Sequence, residues 1–130
     1  MGIAERRKIN ELEEQVLPGR VKEIEEICGA AIPYKVDWAS FAGDATALNS
    51  MDNLSCHRLN MALRMICQDE MGKEAVRNGI KEVRLRNVVT PADRNVVLED
   101  GVLTMQCAYA LGTRGMNSDS DIRAYLETKL

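Results

Sequence analysis

The sequence predicts an α+β fold: about four strands in a mostly antiparallel sheet, with helices packed on one face. Three observations carry this. Two long stretches, 3–28 and 52–79, place apolar residues three or four apart, the spacing of an amphipathic helix. Three shorter runs alternate apolar and polar residues, the period of a half-buried strand. One of those runs contains Asp100-Gly101, a two-residue hairpin signal. Each strand keeps one polar face, which favours antiparallel pairing with that face in water. The expected order is α(kinked)-β-α-β-β-β-α. A length of 130 residues suits one domain, 1–130, with no linker.

The first helix carries Ile9, Leu12, Val16, Val21, Ile24 and Ile27 on one stripe. Pro18-Gly19 interrupts it, because proline removes a helical hydrogen bond and crowds the turn before it. The expectation is a kink near Leu17, or two helices with Pro18 in the first turn of the second. Gly29 ends the segment. Ile32, Tyr34, Val36 and Trp38 then share one face of a strand that Pro33 opens. Residues 42–51 read as a loop or short turn, and Asp52 as the N-cap of the long helix. Gly72 is expected to break or bend that helix, and Asn78-Gly79 to end it.

Val83, Leu85 and Val89 give the next strand its apolar face, with Glu82, Arg84 and Arg86 opposite. The following hairpin pairs Leu98 with Leu103 and Val96 with Met105 around a type I′ turn. The strands flanking the long helix are the place where a right-handed crossover would make a parallel pair. Gly112–Gly115 is a glycine-bounded loop. Ser118-Asp-Ser-Asp121 resembles a capping box before a short last helix, with Ile122, Tyr125 and Leu126 on its apolar stripe.

Composition excludes several functions. The net charge is −3, against the basic excess a general nucleic-acid binder needs, so nucleic acid is an improbable partner. No apolar run approaches the ~20 residues of a membrane span. The opening MGIAERRKINELEEQ lacks the apolar stretch of a secretory signal, and Arg6 stands where myristoylation needs Ser or Thr. Aromatics are 4% of the chain, so aliphatic residues and Met must build the core. Cys28, Cys56, Cys67 and Cys107 are widely spread; Cys56, Cys67 and Cys107 fall on apolar faces, which implies reduced core cysteines and a cytoplasmic location.

No motif names a chemistry. Cys56 and His57 are neighbours, but adjacent helical residues point apart, so they form no nucleophile–base dyad. Cys56 belongs with the core and His57 with the surface. The lone His and scattered Cys lack zinc spacings, and Asp119-Ser120-Asp121 lacks the remaining ligands of a calcium loop. No metal, cofactor or catalytic residue is implied.

Glu70 continues the apolar stripe of the long helix, which invites a perturbed carboxylate facing the core. The plainer expectation is that the stripe runs past the sheet there, leaving Glu70 solvated or paired with an Arg. Met61 and Met65 lie off the main stripe. They either pack under the N-terminal helix, the favoured reading, or form an interaction surface with His57. Arg84 and Arg86 share an outward strand face that could engage an anion or an acidic partner. The sequence thus favours a non-catalytic interaction domain of adaptor, inhibitor or immunity type, binding a protein partner or itself. The alternative is a ligand-binding protein or small enzyme. Its pocket would lie between the 52–79 helix and the sheet, lined by Glu70, Tyr34, Trp38 and Tyr109.

Overall fold

The structure is a computed structural model and describes residues 2–130. It is α+β, with a four-stranded sheet and its helices on one face. Helix α1 runs through residues 3–28. Ile3–Glu11 and Leu17–Cys28 are α-helical, and a π-turn, Leu12–Val16, joins them. In that turn the Leu17 N–H reaches back to the Leu12 carbonyl. Pro18 accounts for the irregularity: in a regular helix its ring would strike the Glu14 carbonyl. Widening the preceding turn relieves the clash, so the helix continues instead of splitting. Gly29, at φ 92°, ends it as expected.

The long central helix begins earlier and stops sooner than its periodicity suggests. Asp44, not Asp52, is the N-cap, its Oδ1 accepting the Ala47 N–H at 2.9 Å. Helix α2 covers residues 45–66, with a second π-turn, Asp52–Cys56, between Ala45–Met51 and His57–Ile66. The wider turn buries three consecutive residues, Leu54, Ser55 and Cys56. The chain then breaks at 67–69, and Asp69 caps a new helix, α3 (Glu70–Gly79), by accepting the Gly72 N–H at 2.7 Å. Gly72 is therefore not the breaker. It sits in the first turn of α3, pressed against the end of α2.

The strands are β1 (Tyr34–Val36), β2 (Glu82–Asn87), β3 (Asn95–Glu99) and β4 (Val102–Cys107), in spatial order β1-β2-β4-β3. β1 is parallel to β2 and β2 to β4; only β3 and β4 are antiparallel. The pairing is thus mixed where a mostly antiparallel sheet was expected. The helical crossover between β1 and β2 gives the first parallel pair, as anticipated. Burial gives the second. β4 carries Leu103, Met105 and Cys107, all fully buried, while β3 offers buried Val96 and half-buried Leu98. The richer strand takes the centre and so lies beside β2. The hairpin itself has the expected register, Leu98 to Leu103 and Val96 to Met105. Asp100 and Gly101 both have positive φ, 51° and 80°, as a type I′ turn requires.

β1 is shorter than predicted, and Trp38 lies in a 3-10 turn, Trp38–Phe41, beyond it. Helix α4 (Asp119–Lys129) is capped by Ser118, whose Oγ accepts the Asp121 N–H at 3.1 Å. One hydrophobic cluster fills the space between helices and sheet. All four cysteines are buried and unpaired. Burial pushes the Cys67 thiol up to about 11, and those of Cys56 and Cys107 also rise. Among the described residues no helix is long and apolar enough to cross a membrane.

A Cβ at position 72 would stand 1.7 Å from the Ile66 carbonyl oxygen. Alanine normally gains about 1 kcal/mol over glycine inside a helix. Here the overlap reverses the sign. Gly72→Ala is expected to destabilise the protein by about 1–3 kcal/mol, measured as a lower urea midpoint. An unchanged or raised midpoint would contradict the close approach of α2 and α3.

Candidate functional site

The residues singled out in sequence converge most at the β1 edge of the sheet. The Val83 N–H donates to the Pro33 carbonyl at 2.9 Å, and the Asp37 N–H to the Leu85 carbonyl at 2.9 Å. Residues 33, 35 and 37 therefore turn their backbone polar groups toward β2. By strand alternation, Tyr34 and Val36 turn theirs to the open side. Beside that open side, between β1 and α1, runs a groove of about 460 Å³. Buried Leu17 and Tyr34 form its floor, with half-buried Val21, Val36 and Trp38 as walls. The Trp38 indole N–H donates to the carboxylate of Glu13, which belongs to the first π-turn.

Lys35, Arg84, Arg86, Thr104 and Gln106 lie on the other face of the sheet, away from the helices. Lys35 is the register neighbour of Arg84. Arg84 pairs with Glu82, and Arg86 Nε lies 3.8 Å from Asp37 Oδ2. Both arginine side chains remain about 60% exposed, so these ion pairs are screened and weak.

Behind β1 a polar network fixes the strand to the helices. The Tyr34 hydroxyl donates to Asn60 Oδ1 at 2.7 Å. Asn60 Nδ2 donates to Glu23 Oε1 at 2.8 Å and to the Arg20 carbonyl at 3.1 Å. Arg20 Nε and Nη2 donate to the two oxygens of Asp52, each at 2.8 Å, and Nη1 to Glu23 at 2.9 Å. The hydrogen bond to Asp52 outweighs desolvation and raises the Arg20 pKa further. Burial drives the Tyr34 pKa well above its ordinary value. Burial also pushes Glu23 up, but hydrogen bonds from Asn60 and Arg20, with the nearby positive charges, outweigh it. Glu23 is held below its ordinary value of about 4.5.

The other singled-out residues fall elsewhere. Glu70 is in solvent, its side chain 73% exposed and paired with Arg77 at 3.0 Å. The break at 67–69 ends the apolar stripe before Glu70, so it faces no core. Tyr109 is fully buried and stacks on Phe41 at 5.2 Å; Phe41 in turn lies 6.0 Å from Trp38. Tyr109 thus reaches the groove only through Phe41. The space between α2 and the sheet is filled by Leu59, Leu63, Leu103 and Met105, so the four residues line no common pocket there. Met61 and Met65 are exposed, 41% and 45%, and do not pack under α1. Asn60 and Arg64 occupy that side of α2 instead. His57 is exposed on the same ridge as Met61.

Sequence reasoning missed Lys35, Val21 and Glu13 as site residues. Lys35 carried a signal, since it alternates outward from the strand of Tyr34. Glu13 carried none, because the π-turn decides its direction. Among the described residues no group of His, Cys, Asp and Glu side chains could hold a metal ion. No protein-family model, curated protein or solved structure matches this chain.

The network makes a pH prediction. A carboxylate with a depressed folded pKa stabilises the fold above its unfolded pKa, and this is lost as pH falls through the folded value. Part of the stability is therefore expected to disappear below pH ~4.5 as Glu23 takes up a proton. In Glu23→Gln, urea midpoints measured from pH 6 down to pH 3 should fall less steeply than in wild type. Identical slopes would remove Glu23 from the acid response.

Proposed function

We propose that this chain is a non-catalytic protein-interaction domain, of adaptor, inhibitor or immunity type, whose partner docks on the β1 side of the sheet. One observation carries the reading. The β1 side of the sheet presents two kinds of surface: exposed Lys35 on β1 and Arg84 and Arg86 on neighbouring β2 on the outer face, and the apolar groove of Leu17, Val21 and Trp38 on the helix side. Interfaces commonly combine an apolar, aromatic centre with a charged rim, and arginine and tryptophan are frequent anchors in them. The alternative, a ligand pocket under the long helix, lacks geometric support, because that space is filled and Glu70 is in water. Purified protein should retain a partner from its native lysate, identifiable by mass spectrometry and reconstituted as a complex of defined stoichiometry. Arg84→Glu/Arg86→Glu should weaken that complex about tenfold or more, since reversed charges repel an acidic partner. A reconstituted complex indifferent to the double substitution would place the partner elsewhere.

A second reading, self-association, draws on a different surface. Met61, Met65 and Met71 are exposed along α2 and the start of α3, Met71 by 81%. The ridge on α2 is flanked by Arg64 with Glu23 on the α1 side, and by Arg123 with Glu127 on α4. An antiparallel two-fold packing of α2 on its copy sets each flank against its own equivalent. Glu23 then faces Arg64 of the other copy, and Arg123 faces Glu127. Light scattering across a concentration series should show a dimer that Met61→Glu/Met65→Glu abolishes. A monomer at all concentrations removes this reading and leaves the first intact.

A further inference from the structure

We propose that the β1 edge binds its partner by strand addition, taking an extended segment with apolar and acidic residues in alternation. This rests on the interaction-domain reading and names the form of the partner. The N–H and C=O groups of Tyr34 and Val36 face the open side of β1, a row of four backbone groups without a strand opposite. An extended chain of about four residues satisfies that row.

The two edges of the sheet are treated differently. On β3, Tyr125 from α4 reaches over and accepts the Leu98 N–H at 2.8 Å, which blunts that edge. Among the described residues no side chain does the same for Tyr34 or Val36. Pro33 does not close the β1 edge either. Its carbonyl faces β2, where it accepts from Val83, so the N–H it lacks belongs to the paired side of the strand.

Side-chain chemistry then sets the pattern of the added strand. Its residues on the helix side lie over the groove floored by Leu17 and walled by Val21 and Trp38, an apolar surface. Its residues on the outer face lie beside Lys35, with Arg84 the next side chain across the sheet. Adjacent strands favour opposite charges and penalise like ones. An acidic residue therefore fits the outer position. The same rule disfavours a second copy of this chain as the occupant. Symmetric pairing of so short a strand brings the two Lys35 side chains together on one face.

The test uses random linear peptides displayed on phage, selected against the intact protein. Enriched peptides should alternate apolar with Asp or Glu over four or five residues. Val36→Pro replaces the open-side N–H with a ring while leaving the β1–β2 ladder whole, as edge strands tolerate. It should weaken the selected peptides at least tenfold, with a near-native circular dichroism spectrum. Lys35→Glu is exposed and does not burden the fold. Selection against it should move the preference from Asp and Glu to Lys and Arg. Two results overturn the proposal: no enrichment, or enriched peptides that bind wild type and Lys35→Glu alike. A natural partner that depends on Arg84 and Arg86 but ignores Val36→Pro also overturns strand addition, yet leaves the interaction-domain reading standing. Indifference to both sets of substitutions removes both.

Discussion

The paired hydrogen bonds from Arg20 to Asp52 join the two long helices at their irregular turns, and the position of β1 depends on them. Asp52 opens the π-turn of α2, and Arg20 lies just past the π-turn of α1. A guanidinium–carboxylate fork has fixed geometry, so it sets the relative rotation of the helices as well as their spacing. The pair is only partly buried, its side chains 21% and 28% exposed, and its direct contribution to stability is modest. Its larger effect is on Asn60, which is almost fully buried at 1% exposure. A buried amide is costly unless its donors and acceptor are used. Arg20 and Glu23 take the donors of Asn60, and Tyr34 supplies the hydrogen for its acceptor. β1, only three residues long, is thereby anchored from behind by the one polar group it buries.

The topology of the sheet follows from competition among strands for the centre. β1 and β3 are the poorer strands in buried apolar side chains, and they lie at the edges. β2 and β4 hold the middle, with Val83, Leu85, Leu103, Met105 and Cys107 turned to the helices. This leaves an open polar face even though the central pair is parallel. Parallel strands are usually covered on both faces. Here the helices all lie on one side, so alternation in sequence could not separate parallel from antiparallel pairing.

What was legible in the sequence was whatever local chemistry decides. Asp100-Gly101 and the flanking Val, Leu and Met residues fixed the hairpin down to its register. Ser118 and Gly29 marked helix ends, and the helical wheel sent Cys56 inward and His57 outward. Decisions made by two distant segments were not legible. The π-turns have no periodic signature, since the inserted residue shifts the stripe by only part of a turn. Nor did periodicity reveal the break at 67–69. Apolar spacing continued across it, whereas the deciding signal was a cap, Asp69, three residues before a glycine whose close approach to the Ile66 carbonyl leaves no room for a Cβ. The helical wheel carried Glu70 onto the stripe for the same reason, while the plainer expectation, a solvated Glu70 paired with an Arg, matches its exposed pairing with Arg77. Arg84 and Arg86 were placed on the outward face, but that Arg84 stands beside Lys35 emerged only when β1 and β2 were paired.

The two prolines that disturb regular structure, Pro18 and Pro33, both border the β1 groove. Pro18 requires the widened turn before it, and that turn carries Glu13 to the indole of Trp38. Trp38 is thus held at the end of the groove by a residue whose direction a regular helix would change. Pro33 limits how far β1 can extend toward its N-terminus, while spending its missing donor on the paired side. Local irregularity and the open edge are then one feature. The helix gives up a regular hydrogen-bonding pattern at Leu12–Val16, and the strand gives up length. Together they leave an apolar trough beside free backbone groups, which a fully regular helix packed on a longer strand would have closed.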